Sequence, residues 1–407
     1  MRMHRSEGQG APGIEPGCPV FVFARPAGAG YIGPSKGDGS KMQITIQQKS
    51  LSKAVETAFR FVPTKSPAPI LSGVKLSAMD NDTLIVGATD LECGVLVSAP
   101  AMIRDPGEAV IPARVFNDLV RKLPDGELAL QTNDHNLQIK TSGIIAEFNG
   151  FSAEEYPVLD AVKEKNYDIS LPYSVFRQVL DQTLYSISAD TARTIFTGQL
   201  WQLGENELII VATDIHRLAF RRLRNMECPR DISGIIPGNL LQNALRSFTN
   251  AAVNVRLSEI QVRFTADNIT VFGRLIAGNY PDWRRMIPGE EAEAMCKAMI
   301  EPAEMLGVLS RVVALGGNPS VVRLTMSDSG IGVSGSSEIG TLEEHVRGVV
   351  NGDVEVYFNT EYLIDSLKPF SGSVEMTFYG ETNPATIRAD CPDKDDYVAV
   401  LLPVRMS

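Results

Sequence analysis

Two rhythms of hydrophobic residues alternate along this chain. Leu51, Ala54, Val55, Ala58, Phe59 and Val62 recur at helical spacing, forming one stripe of a helix predicted over Ser50–Val62. The stretch from Leu84 to Val95 reads as an apolar strand, a turn at Thr89-Asp90 and a second alternating strand. Phe116, Leu119, Val120 and Leu123 return to the helical period. The same order comes back twice. Phe176, Val179, Leu180, Thr183, Leu184 and Ile187 precede a hairpin from Ile209 to Phe220 that turns at Thr213-Asp214, and Leu241, Ala244, Leu245 and Phe248 follow it. A weaker third set has Met305, Leu309, Val312 and Val313, a hairpin from Val322 to Val333 turning at Ser327-Asp328, then Leu363, Ser366, Leu367 and Phe370. The second helices open on Pro112-Ala113, Pro237-Gly238 and Asn359-Thr360. The pattern predicts an α+β chain of three similar units, each with two helices packed on antiparallel strands.

Units of roughly 120 residues have the usual size of a domain, and a chain of 407 residues that is 44% apolar can supply a core for each. The boundaries fall at 42–162, 163–288 and 289–407. Residues 1–41 stand outside the pattern: they are rich in Gly and Pro, and their one apolar island, Val20 to Ala24, is too short for a signal peptide and is broken by Pro26 and Gly28. They read as a disordered extension, or as the product of a start codon placed too early. Met42-Gln43-Ile44-Thr45-Ile46 alternates like an opening strand. Five scattered cysteines without C-x-x-C spacing argue against a disulfide framework and against a zinc site. No apolar run reaches the roughly 18 residues of a membrane span. A reducing compartment, the cytoplasm, is expected, with no metal and no cofactor.

Asp214 and His216 in one turn raise the possibility of a hydrolase, with His as base and Asp as its orienter. The chain has no G-x-S-x-G, phosphate loop or H-E-x-x-H to support it, and Glu92 stands at the corresponding place in the first unit. Asp90, Asp214 and Asp328 are more simply turn formers bonded to backbone amides. The helices carry a different chemistry. Lys49, Lys53 and Arg60 lie on the first, Lys65 in the Pro-rich loop behind it, Arg114, Arg121 and Lys122 on or just after the second, and Arg177, Arg193 and Arg246 on or beside those of the second unit. Any one cluster reads as a solvated helix face; recurrence at equivalent places suggests a shared basic surface.

Four segments together are similar to one family. Ala212-Thr213-Asp214-Ile215-His216-Arg217-Leu218-Ala219, Asn279-Tyr280-Pro281-Asp282-Trp283-Arg284-Arg285-Met286, the Pro112-Ala113-Arg114 helix start and the terminal Leu401-Leu402-Pro403-Val404-Arg405-Met406 resemble the beta subunit of bacterial DNA polymerase III, the sliding clamp. The resemblance covers about residues 42–407. It implies a DNA clamp fold of three similar domains and a homodimer closed head to tail into a ring, with the helices lining the hole. Lys65, Arg114, Arg121, Arg193 and Arg246 would then meet duplex DNA at its phosphates, without sequence preference. The net charge of −11 ordinarily counts against a DNA binder, but a ring holds DNA by topology and needs only weak, sliding contacts. Gly238 stands where some clamps have a further arginine, and Glu301, Glu304, Glu361 and Asp365 make the third unit's helices acidic.

The resemblance also implies a peptide groove for the replicative polymerase's catalytic subunit, the clamp loader, and repair and other polymerases. Its residues would be Phe196, Thr213, His216, Arg217, Leu218, Pro281, Met286, Val400, Leu401, Leu402, Pro403, Val404, Arg405 and Met406. Ile215 replaces the Gly common between Asp and His, and the aliphatic tail ends in an extra Ser407. Phe148 and Phe151 at the end of the first unit, and Val313 with the strand Val321-Val322-Arg323-Leu324 in the third, are the expected dimer surfaces; Phe148 and Phe151 could equally fill the first core. The alternative is a scaffold of the same fold, or an accessory clamp paralogue, that does not itself support replication.

Overall fold

The structure is a computed structural model that describes residues 41–65, 68–79, 81–159, 167–204, 206–226, 231–289, 291–315, 321–391, 393 and 396–405. The first unit opens with β1 (Gln43–Gln47) and runs directly into α1 (Gln48–Phe59), which buries Leu51, Ala54, Val55 and Ala58. It continues through β2 (Gly73–Met79), β3 (Thr83–Thr89), β4 (Cys93–Pro100), the short β5 (Met102–Asp105) and β6 (Gly107–Pro112). Pro112 ends β6 and leads into α2 (Ala113–Val120), after which β7 (Glu127–Asn133), β8 (Asn136–Thr141) and β9 (Ile144–Phe148) form a meander.

The second unit follows the same order: β10 (Tyr167–Leu171), α3 (Tyr173–Thr183), β11 (Gly198–Leu203), β12 (Glu207–Thr213), β13 (Arg217–Arg224), β14 (Ile232–Pro237), α4 (Gly238–Ser247), β15 (Val253–Leu257), β16 (Gln261–Ala266) and β17 (Ile269–Arg274). The third has β18 (Cys296–Ile300), α5 (Pro302–Ala314), β19 (Val321–Ser327), β20 (Gly330–Ser336), β21 (Thr341–Val346), β22 (Gly348–Asn351), β23 (Val354–Asn359), α6 (Thr360–Leu367), β24 (Val374–Phe378), β25 (Ala385–Ala389) and β26 (Tyr397–Leu401). Proline supplies a start signal in most cases: Pro172 and Pro237 precede α3 and α4, and Pro302 opens α5. At α6 the Asn359 side chain accepts the Tyr362 amide at 3.1 Å, an N-cap that satisfies one of the first turn's unpaired donors.

Sheet order separates two kinds of join. Within units the strands pair as antiparallel neighbours. Between units, the last strand of one pairs with the third sheet strand of the unit before it: β17 with β4, giving an eight-stranded sheet, and β26 with β13, giving a nine-stranded one. The remaining sheets are β5-β1-β7-β8-β9 and β21-β20-β19-β23. Continuous sheets therefore carry the chain across both domain boundaries. The first two units share one apolar core, which includes Phe116, Phe176, Trp201 and Phe264, while the third has its own around Phe358 and Phe378.

The third unit departs from the expected register. The equivalent of β3–β4 and β12–β13 is β20–β21, turning at Ser337 to Gly340; the Ser327-Asp328 turn joins β19 to β20 and corresponds to the preceding β2–β3 hairpin. Strand β19 consequently lies inside its sheet, between β20 and β23, and the sheet ends at β21 on one side and β23 on the other.

Candidate functional site: a groove at the second and third units, and the helix surface

The site starts from one turn built twice. In the second unit Thr213 Oγ1 donates to the Arg217 carbonyl at 2.7 Å and accepts the Ile215 amide at 3.1 Å, while Asp214 Oδ1 accepts the amides of His216 and Arg217, both at 3.0 Å. In the first unit Thr89 and Asp90 bind Cys93, Leu91 and Glu92 in the same way. Both turns force their third residue into the left-handed region, Ile215 at φ 74° and Leu91 at φ 79°. Both Asp214 oxygens are engaged within the turn, Oδ1 by the two amides and Oδ2 by Arg217 Nε at 2.9 Å. A His–Asp catalytic pair is not assembled there.

Alternation along β13 sends Leu218 and Phe220 to the outer face and Arg217 and Ala219 to the helix side. On the outer face Leu218, Phe220, Val211, Trp283, Val398 and Val400 form a separate apolar cluster, with Ile195, Tyr280 and Met286 packed around it. Thr213 is fully buried at its edge, and its amide donates to the Tyr280 hydroxyl at 3.1 Å. Phe196, half-buried, meets Tyr280 edge-on at 6.2 Å. Burial raises the Tyr280 phenol well above its ordinary range, so it stays a neutral hydroxyl that accepts the Thr213 amide. Pro281 is exposed and Met286 half-buried. These contacts bring the turn and the Tyr-Pro-Asp segment together over an apolar floor.

The C-terminal strand supplies the next wall. Leu402 donates its amide to the His216 carbonyl at 2.9 Å, and the chain then leaves the nine-stranded sheet, with the Val404 amide bonded to the Tyr357 carbonyl at 2.7 Å. Leu402, Pro403 and Val404 are half-buried and Arg405 exposed. Val400 belongs to the floor, whereas Leu401 points the other way, into the third unit's core. Met406 lies outside the described residues. His216 is exposed and stacks on Tyr362 of α6 at 6.2 Å, with 27° between the rings. Tyr362 was not anticipated from sequence; the signal available was its helical spacing of three from Asp365 behind the Asn359 cap. Arg217 is only 9% exposed and lies beneath this wall, not on its surface.

Of the basic residues, Arg114 and Arg246 lie on α2 and α4, Arg121 caps α2, and Lys65 and Arg193 lie in segments beside the helices. Lys65, Arg114, Arg121, Arg193 and Arg246 are all exposed, and among the described residues none forms an ion pair. Their neighbours are engaged: Lys49 pairs with Asp125 at 2.7 Å, Arg177 with Asp181 at 3.4 Å, and Arg60 reaches across units to the Arg246 carbonyl at 2.7 Å. Gly238 has a local reason to be glycine, since a Cβ there would come within 2.2 Å of Ile187 Cδ1 and 3.0 Å of the Thr197 carbonyl. Two of the third unit's four acids are paired with cations. Glu304 pairs with Arg347, Asp365 with Arg217 and Lys368, and Glu301 accepts the Ser373 hydroxyl, leaving Glu361 exposed.

Phe148 packs edge-on against Phe116 at 5.4 Å, and Phe151 lies half-buried, its amide bonded to Val110. Phe148 therefore belongs to the core shared by the first two units, and Phe151 packs on a small cluster with Tyr156 and Phe272. What β9 exposes is Ile144, Ile145 and Glu147. Val313 is 44% exposed on α5.

Three two-helix units, joined by sheets that run through their boundaries, define the DNA clamp fold. The chain belongs to the DNA polymerase III beta subunit family: the family's N-terminal domain matches residues 42–160, its central domain 170–282 and its C-terminal domain 284–405. The Beta sliding clamp of Staphylococcus aureus is 32% identical over 384 residues, covering 89% of this chain and 99% of the relative. The DNA polymerase sliding clamp from Bacillus subtilis superposes with a TM-score of 0.85 at 30% identity, over 90% of this chain and all of that one. A sliding clamp from Pseudomonas aeruginosa bound to griselimycin gives 0.82 at 25% identity, over the same shares. The function is that of a sliding clamp.

Proposed function

We propose that two copies of this chain close head to tail around duplex DNA by joining β9 of one to β21 of the other. The observation that carries this reading is the sheet order. Both joins inside the chain pair a unit's last strand with the third sheet strand of its neighbour, and β9 and β21 are the members of that series left without a partner. Continuing the β17–β4 register places Ala146 opposite Leu342. The two-residue turn at Ser142-Gly143 makes Thr141 and Ile144 a hydrogen-bonded pair, so the amides of Ile145 and Glu147 point to the free edge. The seam thus has donors, acceptors and exposed isoleucines ready.

In this ring the exposed bases face DNA, and the groove receives short peptides from the polymerase, the loader and repair polymerases without any catalysis by the chain itself. Half-buried Met286, Leu402 and Val404 give it adaptable apolar walls. Glu147→Pro removes one outward donor while leaving the β8–β9 ladder intact, and it should convert the dimer seen by light scattering into a monomer with an unchanged far-UV spectrum. A monomeric parent protein at micromolar concentration would refute the ring. Deleting Pro403 to Ser407 should keep the dimer but weaken a labelled polymerase-tail peptide at least about tenfold, or roughly 1.4 kcal/mol. Unchanged anisotropy titrations would mean that partners dock elsewhere.

A further inference from the structure

We infer that Arg217 is a positioning residue for the peptide groove, a clasp between the second and third units that fixes the His216–Tyr362 wall without touching the peptide. The inference rests on the groove reading above. Arg217 belongs to the odd-numbered face of β13, opposite the apolar floor, and its guanidinium makes two charged hydrogen bonds. Nε donates to Asp214 Oδ2 at 2.9 Å, and one terminal nitrogen donates to Asp365 Oδ2 at 3.0 Å, on α6 of the next unit. Its Cζ lies 4.3 Å from the centre of the Tyr362 ring and 5.4 Å from that of Tyr185.

Each partner shapes a different part of the groove. Asp214 holds the turn amides with its other oxygen, so a single carboxylate both forms the hairpin tip and grips the arginine. Tyr362 touches Arg217 and stacks on His216. The Tyr185 hydroxyl lies 3.4 Å from that of Tyr397, at the start of the strand that carries the C-terminal wall. Hairpin, α6 and tail strand therefore meet around one planar cation, whose fork and flat face a lysine would not reproduce. Holding a site's walls in the bound geometry raises affinity by cutting the ordering cost of binding, even when the residue that holds them makes no ligand contact.

Asp365 separates this role from direct contact, because its hydrogen bond to the hairpin is made through Arg217. Titrations would use the full-length dimer and the labelled C-terminal peptide of the replicative polymerase from the same genome. Asp365→Asn, nearly isosteric, should weaken that peptide about tenfold with the dimer and Tm retained. Arg217→Ala combined with Asp365→Asn should be no weaker than Arg217→Ala alone. Asp365→Glu should recover most of the loss, and Lys368→Ala, which removes only the carboxylate's other partner, should bind like the parent. Parental affinity for Asp365→Asn beside a weakened Arg217→Ala would overturn the clasp in favour of direct contact. Parental affinity for both, with His216→Ala weakened, would overturn it while leaving the groove in place. Were His216→Ala and the tail deletion also silent, the groove reading would fall and the clasp with it.

Discussion

Leu91 and Ile215 occupy matching places in two copies of one turn, and both hold a left-handed backbone that L side chains resist by roughly 1–2 kcal/mol. Glycine removes that cost but adds chain entropy to the unfolded state, about 0.4–1 kcal/mol. The balance favours glycine. Leu91→Gly is the cleaner case, since the side chain is exposed and its loss forfeits little packing; its Tm should rise by a few degrees at most. Ile215→Gly should also stabilise, and more strongly, because a branched Cβ suits this region least. A fall in Tm for Leu91→Gly in calorimetry would show that the turn is not strained. The Thr-Asp turn itself was legible because its hydrogen bonds are local, linking residues two to four apart. Tyr362 and the burial of Arg217 were not, since both depend on a contact between units that no local spacing reports.

Among the elements, the six helices were legible from their stripes, whose predicted positions are all buried or half-buried except Val313. The third hairpin was placed one strand too early. Its true equivalent, Ser336 to Thr341, lacks the Thr-Asp pair, so the nearest Ser-Asp, in the neighbouring hairpin, took its place. Helix α6 matters most here because it carries both Tyr362 and Asp365. Its cap depends on one side chain: Asn359→Ala should cost about 1 kcal/mol, read by denaturant unfolding, and leave the dimer intact. An unchanged unfolding midpoint would mean that the cap contributes nothing. The charge on the other helices tests differently. Among the described residues Arg114, Arg121 and Arg246 have no ion-pair partner to lose, so their combined change to Glu should leave Tm nearly unaltered while impairing loading, more so at higher salt as the remaining phosphate contacts are screened. Parental processivity in the triple variant would place these residues away from DNA.

At the scale of the whole molecule, three repeated units were readable in the sequence, but not the strand pairs that link them, because edge pairing leaves no periodic mark on either partner. Those links have a kinetic meaning. Inside the chain, each boundary is bridged twice, by a strand pair and by the polypeptide itself; at the proposed β9–β21 seam the strand pair stands without a covalent partner. Residence time on a closed DNA circle is then the lifetime of that seam, while charge on the helices governs how fast the ring wanders along the duplex. The two quantities should separate. Rising salt should quicken diffusion on a circle and barely change the time to release, whereas a weakened seam should shorten the stay at every salt concentration.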